Sequence, residues 1–286
     1  MVIALGITLA VLIAEAIGAQ ITGSLALLAD AGHMLTDVAG TGLAILAMTL
    51  SARPASDQRT YGYARLEILA AVINAMLLFA IAGFLLVEAW QRWSDPPGVR
   101  GVEMLVFAVV GAVANTMSLL LLRGDARSSI NVRGAYLEAL GDLLGSLAVI
   151  VAAVIIATTG WQRADVVATV AVALMILPRT WSLLRDAVDV LLEAAPRNVD
   201  LQEVREHICS VSGVLGVHDL HVWTLTSGMP VLSVHVVVEE SVLASGGGAR
   251  ILDDLGDCLA DHFDVAHCTF QLEPPSHGEH EFPTHR

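Results

Sequence analysis

Apolar residues run in long unbroken blocks through most of the chain and in short, alternating ones beyond Pro196. Blocks at about 2–21, 25–50, 67–90, 102–122, 134–158 and 164–184 each supply the roughly 20 apolar residues that a helix needs to cross a bilayer. Polar segments separate them: Thr22-Gly23-Ser24, the loop Ser51 to Arg65, the turn Ser94-Asp95-Pro96-Pro97-Gly98, the loop Arg123 to Arg133, and Thr158-Thr159-Gly160. A bilayer leaves no water for unpaired backbone groups, so only helices or a closed barrel can span it. Continuous blocks select helices, and the pattern predicts an all-α domain of six spans over residues 1–190.

After Pro196 the period changes. Asp200 to Ser210 reads as a helix, with Asn198 or Asp200 as its cap. Val214 to Leu225 and Val231 to Glu239 are rich in β-branched residues and are joined by Ser227-Gly228-Met229-Pro230, which reads as a hairpin. Gly246-Gly247-Gly248 precedes an amphipathic helix, Ala249 to Phe263, and Ala266 to Leu272 reads as a last strand. The α-β-β-α-β order predicts a small ferredoxin-like α+β domain over 196–273. The tail 274–286, with His277, His280 and His285, reads as disordered.

Composition supports the membrane reading, since 55% of the 286 residues are hydrophobic and the mean hydropathy is +0.69. The chain has no lysine, so its arginines set the orientation. Arg53, Arg59 and Arg65 share one loop, Arg123, Arg127 and Arg133 the next on that side, and Arg179, Arg185 and Arg197 are counted with the segment following span six. Arg92, Arg100 and Arg163 lie opposite, with Trp90, Trp93 and Trp161 placed as interfacial anchors. The positive-inside rule then puts both termini in the cytoplasm of an inner-membrane protein. The N-terminal block lacks a basic leader region, so no cleaved signal peptide is expected.

Net charge is −14, and acids dominate the C-terminal part. No basic patch is present to replace counterions on phosphates, which argues against nucleic acid as a partner. Cys209, Cys258 and Cys268 form no CxxC pair and read as reduced cytoplasmic thiols.

The candidate chemistry lies in the spans. An ionisable group at the bilayer centre costs about 3 kcal/mol or more, so each calls for an explanation. His33 and Asp37 are four apart on span two, and Glu138 and Asp142 are four apart on span five. That spacing puts each pair on one helix face, and two such faces supply the four ligands of a tetrahedral Zn²⁺ site. His33 is the only histidine before His207. Asp30 falls one turn from His33 and reads as a residue that supports the ligands or lies on the exit and proton path, or as an acid near the outer water interface. Glu15, Asn74, Glu88 and Asn115 read as interhelical hydrogen-bonding or interfacial positions. Shifting span two by 105 positions matches Leu35, Asp37, Gly40, Ile45 and Ala47 to Leu140, Asp142, Gly145, Ile150 and Ala152, as an inverted three-plus-three repeat would.

The run Ser24-Leu25-Ala26-Leu27-Leu28-Ala29-Asp30-Ala31-Gly32-His33-Met34-Leu35-Thr36-Asp37 resembles the second span of the cation diffusion facilitators. Tyr61-Gly62-Tyr63-Ala64-Arg65-Leu66-Glu67 and Arg133 to Asp142 resemble the family's loop before span three and its fifth span. Leu191 to Pro196 and Val217-His218-Asp219-Leu220-His221-Val222-Trp223 resemble its domain junction and cytoplasmic domain. The resemblance implies a homodimeric secondary transporter that exports Zn²⁺, with Co²⁺ or Cd²⁺ also carried, in exchange for protons. It is not an enzyme and has no prosthetic group. The resemblance also places His218, His235 and Glu273 where the family's cytoplasmic domain can bind metal at its dimer contact, with His221, His267, Cys268 and Gln271 as weaker additions.

Two departures bear on the metal. Many zinc-exporting members carry His where this chain has Glu138, and one His with three carboxylates is a harder, more anionic set that leaves Co²⁺, Cd²⁺, Ni²⁺, Fe²⁺ and Mn²⁺ open. Where some members have a His-rich loop site, this chain offers Asp57, Tyr61 and Tyr63, so that site is expected to be weak or absent. The rival classes are an intramembrane metalloenzyme, a membrane metal sensor and a channel. The chain has no HExxH pair for the first and no GxxxxGK[ST] stretch for ATP-driven transport.

Overall fold

The computed structural model describes residues 2–123, 130–262 and 267–277, with side chains described for 6–123, 136–260 and 267–277. The expected tail beyond His277, with His280 and His285, and most of the loop after Arg123 lie outside the described residues. Six long helices come first: α1 (Val2–Thr22), α2 (Leu25–Ser51), α3 (Leu66–Ser94), α4 (Gly101–Leu122), α5 (Ile130–Thr159) and α6 (Arg163–Leu191). Over their described residues, α2 to α6 are long and apolar enough to cross a membrane, and Gly6–Thr22 of α1 is a shorter apolar helix. The helices overrun the apolar blocks. α6 continues through Pro178 to Leu191 and α3 runs on to Ser94, because hydropathy falls where a span leaves lipid while the helical ladder continues.

The chain forms two compact units, Met1–Thr49 with Leu69–Arg185, and Leu50–Ile68 with Asp186–Arg286. In the first, the half of α2 from Leu25 to Thr36 is packed on several sides. Ala26 and Leu27 enter a cluster with Met104 and Ala108 of α4 and Val149, Ala152 and Ala153 of α5. Leu25 and Ala29 pack with Leu78 and Leu85 of α3 and Val172 and Ile176 of α6. Ala31 and Met34 meet Val11 and Leu12 of α1. The many alanines let helices approach closely, which matters in lipid because apolar burial alone gives little drive for association. At one end of α2, Asp165 of α6 caps the first turn. It accepts from Ser24 Oγ at 2.5 Å, Leu25 N at 2.8 Å and Ala26 N at 3.2 Å, placing a carboxylate where the helix dipole favours one.

The second unit contains α7 (Leu201–Ser210), β1 (Val214–Thr226), β2 (Met229–Val238), α8 (Glu240–Ala244), α9 (Gly248–His262) and β3 (His267–Glu273). The sheet order is β1-β2-β3, antiparallel then parallel. Asp200 is the cap of α7, its side chain accepting from Gln202 N at 2.8 Å. The expected four-residue turn shortens to Ser227-Gly228, with Met229 and Pro230 inside β2. Gly228 takes a φ of 73°, a left-handed value that a two-residue hairpin loop needs. The five residues of α8 carry too little periodicity to be seen in the sequence.

The core uses alternate residues of β2. Val234, Val236 and Val238 are buried with Val204 and Ile208 of α7 and Ile251, Leu255 and Leu259 of α9, which leaves His235 on the opposite face. The segment before α3 and the first residues of α3, Leu50–Ile68, belong to this unit. Glu67 accepts from Thr226 Oγ1 at 2.7 Å and Ser227 Oγ at 2.8 Å, and Arg65 pairs with Glu193 at 2.7 Å.

Candidate metal centres

On α2, His33 and Asp37 project from one face, as their spacing requires, and His33 Nε2 lies 3.5 Å from Asp37 Oδ2. The same nitrogen lies 3.7 Å from Asp142 Oδ1 on α5. These separations are too long for good hydrogen bonds. They approach the edge of a tetrahedron whose ligands stand ~2.1 Å from a central Zn²⁺, about 3.4 Å. Ligating atoms of His33, Asp37 and Asp142 all fall within 4.8 Å of one another. His33 Nδ1, Asp37 Oδ2 and Asp142 Oδ1 are buried and, among the described residues, have no hydrogen-bond partner. Buried polar atoms are normally satisfied, so the two unpaired carboxylate oxygens that face His33 Nε2 make this a candidate place for a cation.

Glu138 stands outside that triad. It is half-buried, and its carboxyl meets that of Asp37. A cavity of about 180 Å³ adjoins the triad, lined by Asp30, His33, Asp37, Asn74 and Arg179 among others. Asn74 Oδ1 is buried without a hydrogen-bond partner among the described residues. It reaches α2 only because Gly40 has no side chain; a Cβ there would stand 2.6 Å from that oxygen.

Asp30 is 1% exposed and lies deeper in a polar cluster. It accepts from Ser146 Oγ at 3.2 Å, and that hydroxyl in turn lies 3.4 Å from Asn115 Nδ2 as acceptor. The Glu15 carboxyl lies against Asp30. Glu15 is 1% exposed, so it is interior and not interfacial. Glu88, by contrast, pairs with Arg92 at 2.9 Å, one turn away on α3.

Sequence reasoning missed Arg179. Counting it with the positive charges that follow span six overlooked its place inside α6, one residue past Pro178 and on the cavity wall. The signal was available: Val172, Met175, Ile176, Arg179, Thr180 and Leu183 recur at helical spacing, and all of them line the cavity.

The second cluster is built on the sheet. His218 and His235 are direct cross-strand partners of β1 and β2, with ring centroids 5.0 Å apart. Glu273, 2% exposed, arrives from β3 beside Val237. Its carboxylate bonds His218 directly through Oε1, while Oε2 lies 3.7 Å from His235 Nδ1. Ligating atoms of His218, His235 and Glu273 also fall within 4.8 Å of one another. A register shift follows His218, where Asp219 adopts a φ of 46°.

The weaker candidates stand around this cluster. Gln271 donates to Glu273 Oε2 at 3.3 Å, and His277 Nε2 lies 4.0 Å from that oxygen. His221 and Cys268 are exposed, and His267 faces Tyr61 with ring centroids 6.4 Å apart. In the loop before α3, Tyr63 is engaged by Arg59, which donates to its hydroxyl and lies 4.5 Å over its ring.

Comparison with known proteins points the same way along the whole chain. Residues 1–192 match the cation efflux transmembrane domain and 196–275 the cytoplasmic domain of cation efflux proteins. The metal cation efflux system protein CzcD of Cupriavidus metallidurans is 47% identical over 271 residues, which is 95% of this chain and 85% of the relative. The zinc transporter ZitB of Escherichia coli is 41% identical over 278 residues, covering 96% and 87%. The cadmium, cobalt and zinc/H(+)-K(+) antiporter of Bacillus subtilis is 39% identical over 269 residues, covering 93% and 86%. Among solved structures, a metal-bound C-terminal domain of the Cupriavidus CzcD transporter is 45% identical and covers 26% of this chain and 99% of that one, at a TM-score of 0.24. The chain therefore belongs to the cation efflux family, as a multi-pass membrane transporter with a cytoplasmic C-terminal domain.

Proposed function

We propose that this protein is a homodimeric inner-membrane antiporter that exports divalent transition-metal ions, Zn²⁺ foremost and Co²⁺ or Cd²⁺ with it, in exchange for protons, with both termini in the cytoplasm. The observation that carries this reading is the triad His33 and Asp37 of α2 and Asp142 of α5, set at near-tetrahedral spacing with Asp37 Oδ2 and Asp142 Oδ1 unpartnered among the described residues. Glu138 joins as the fourth ligand through a modest side-chain movement from Asp37.

Metal and proton compete for the same atoms. A carboxylate or imidazole must be deprotonated to ligate, so loading releases protons and protons arriving from the other side displace the ion. Alternating exposure of one buried site then couples the two flows. Asp30, Glu15 and Ser146 continue a polar line away from the triad and support proton movement beyond it. The names of the relatives, which include zinc and cadmium, cobalt and zinc transporters, favour transport over sensing alone. His218, His235 and Glu273 are proposed as a separate cytoplasmic metal site that reports metal level, within a domain that carries the dimer contact.

The test is counterflow in proteoliposomes, following radiolabelled Zn²⁺ and an internal pH dye together. The wild type should move Zn²⁺ against protons, and Asp142→Asn should abolish both flows while the dimer stays folded. Zn²⁺ flux without proton movement would establish a channel, and full activity of Asp142→Asn would remove the site.

A further inference from the structure

Glu138 gives the proposed transport site three carboxylates, Asp37, Glu138 and Asp142, against one imidazole, His33. With all three ionised, a divalent ion leaves one negative charge over. In a low-dielectric interior an uncompensated charge is costly, and it holds a cation too firmly for release.

The helix opposite carries a matching charge. Arg179 shares the cavity wall with His33, Asp37, Asp30 and Asn74. It lies on the face of α6 formed by Val172, Met175, Ile176, Thr180 and Leu183. Its guanidinium acts electrostatically on His33, Asp37, Glu138 and Asp142 alike. Among the described residues it enters no ion pair within 4.0 Å, whereas Arg65 and Arg92 each have one and Arg197 has two. A charge that served only as a membrane-surface anchor would have no reason to occupy the cavity face.

We propose that Arg179 is the fixed counter-cation of the transport site, offsetting one of its three carboxylates so that the cage is formally neutral with one divalent ion bound. This rests on the transport-site assignment above. Arginine suits the role because its guanidinium keeps its proton at any working pH, so its charge stays constant while the ligands exchange protons for metal. It is a positioning and specificity residue, and it does not ligate the ion. The balance sets a preference for divalent ions, since a monovalent ion leaves the cage negative and a trivalent one leaves it positive.

The count gives a four-corner test with measured half-saturation and turnover. Arg179→Gln makes the loaded cage negative by one, Glu138→His makes it positive by one, and the double variant restores neutrality. In Zn²⁺ counterflow at pH 8, Arg179→Gln should lower both the half-saturating concentration and the maximal rate by about tenfold, because the ion is held and not released. Arg179→Lys should stay within about threefold of wild type. Glu138→His/Arg179→Gln should bring the half-saturating concentration back to within about threefold of wild type, since its loaded cage is neutral again. An unchanged or raised half-saturating concentration in Arg179→Gln would overturn the proposal, as would a double variant that stays as far from wild type as Arg179→Gln alone. A lost surface anchor would reduce folded dimer equally in both Glu138 backgrounds without lowering the half-saturating concentration, and that pattern also rejects it. Asp142→Asn, run alongside, separates the two claims: its full activity would reject the transport site itself, whereas an inactive Asp142→Asn with an ordinary Arg179→Gln rejects only the counter-cation.

Discussion

The two candidate metal clusters draw on the same residue types on different scaffolds, and their geometries part at one point. On the helices, His33 Nε2 stands 3.5 and 3.7 Å from two carboxylates, whose facing oxygens Asp37 Oδ2 and Asp142 Oδ1 have no hydrogen-bond partner among the described residues. On the sheet, Glu273 is already bonded to His218 and lies 3.7 Å from His235. Helix i,i+4 spacing fixes two ligands per helix, and a second rigid helix holds the others at a distance. On the sheet, Glu273 of β3 reaches across β2 to bond His218 of β1, so His and Glu satisfy one another directly. The helix cluster is therefore costly to leave without a cation or protons, and the sheet cluster is not. One suits a site that must turn over, the other a site that must read concentration.

The largest effects should fall on the side that turns over. His33→Ala or Asp37→Ala should cut Zn²⁺ counterflow by more than about a hundredfold, each removing a ligand from a site of four. His235→Ala should leave the saturated rate within about twofold, while equilibrium dialysis of the purified dimer shows fewer bound Zn²⁺. Equal losses of transport from the two clusters would erase the distinction drawn between them. Glu138→His should come next. Exchanging a carboxylate for an imidazole favours the borderline-soft ion, so Zn²⁺ should gain on Co²⁺ by about tenfold in competition. An unchanged ratio would place Glu138 outside the coordination shell.

How much of this was legible beforehand follows from the range of each interaction. The spans, the i,i+4 pairs and the cap at Asp200 are local, and hydropathy or spacing reports them directly. His33, Asp37 and Asp142 were readable because charge in a span has few benign explanations. Glu15 was readable as polar, but its burial against Asp30 depends on how α1 packs. Arg179 was misjudged because an arginine near a span end satisfies the positive-inside rule whether or not it faces a cavity. Asp165 gave no signal at all, since its partners Ser24, Leu25 and Ala26 are about 140 positions away.

Asp165 offers a smaller test of why the helix cluster is so firmly placed. Its carboxylate fixes the end of α2 from which His33 and Asp37 follow within four turns. Asp165→Asn keeps the size but removes the charge facing the helix dipole, which should cost about 1 kcal/mol. Thermal unfolding of the dimer in detergent should show a fall of a few degrees. Half-saturation for Zn²⁺ should rise no more than about threefold, because packing of Leu25, Ala26 and Leu27 still holds the helix. A tenfold rise would mean that the cap, and not the packed interior, positions the ligands.

The smallest expected effect concerns Cys268, on the same strand as Glu273 but five residues away and exposed. Odd spacing along a strand turns it to the face opposite Glu273, so it should not share that cluster's metal. Loss of part of its hydrating water holds its thiol above the ordinary value, which leaves little thiolate near neutral pH and makes alkylation slow. Saturating Zn²⁺ should then leave the rate of Cys268 alkylation by iodoacetamide unchanged, while His235→Ala lowers Zn²⁺ binding under the same conditions. A thiol that ligates Zn²⁺ is deprotonated and shielded by the ion. Protection of Cys268 by Zn²⁺, lost on Glu273→Gln, would therefore show that the sheet cluster recruits a thiolate and binds more tightly than a site reading metal level should.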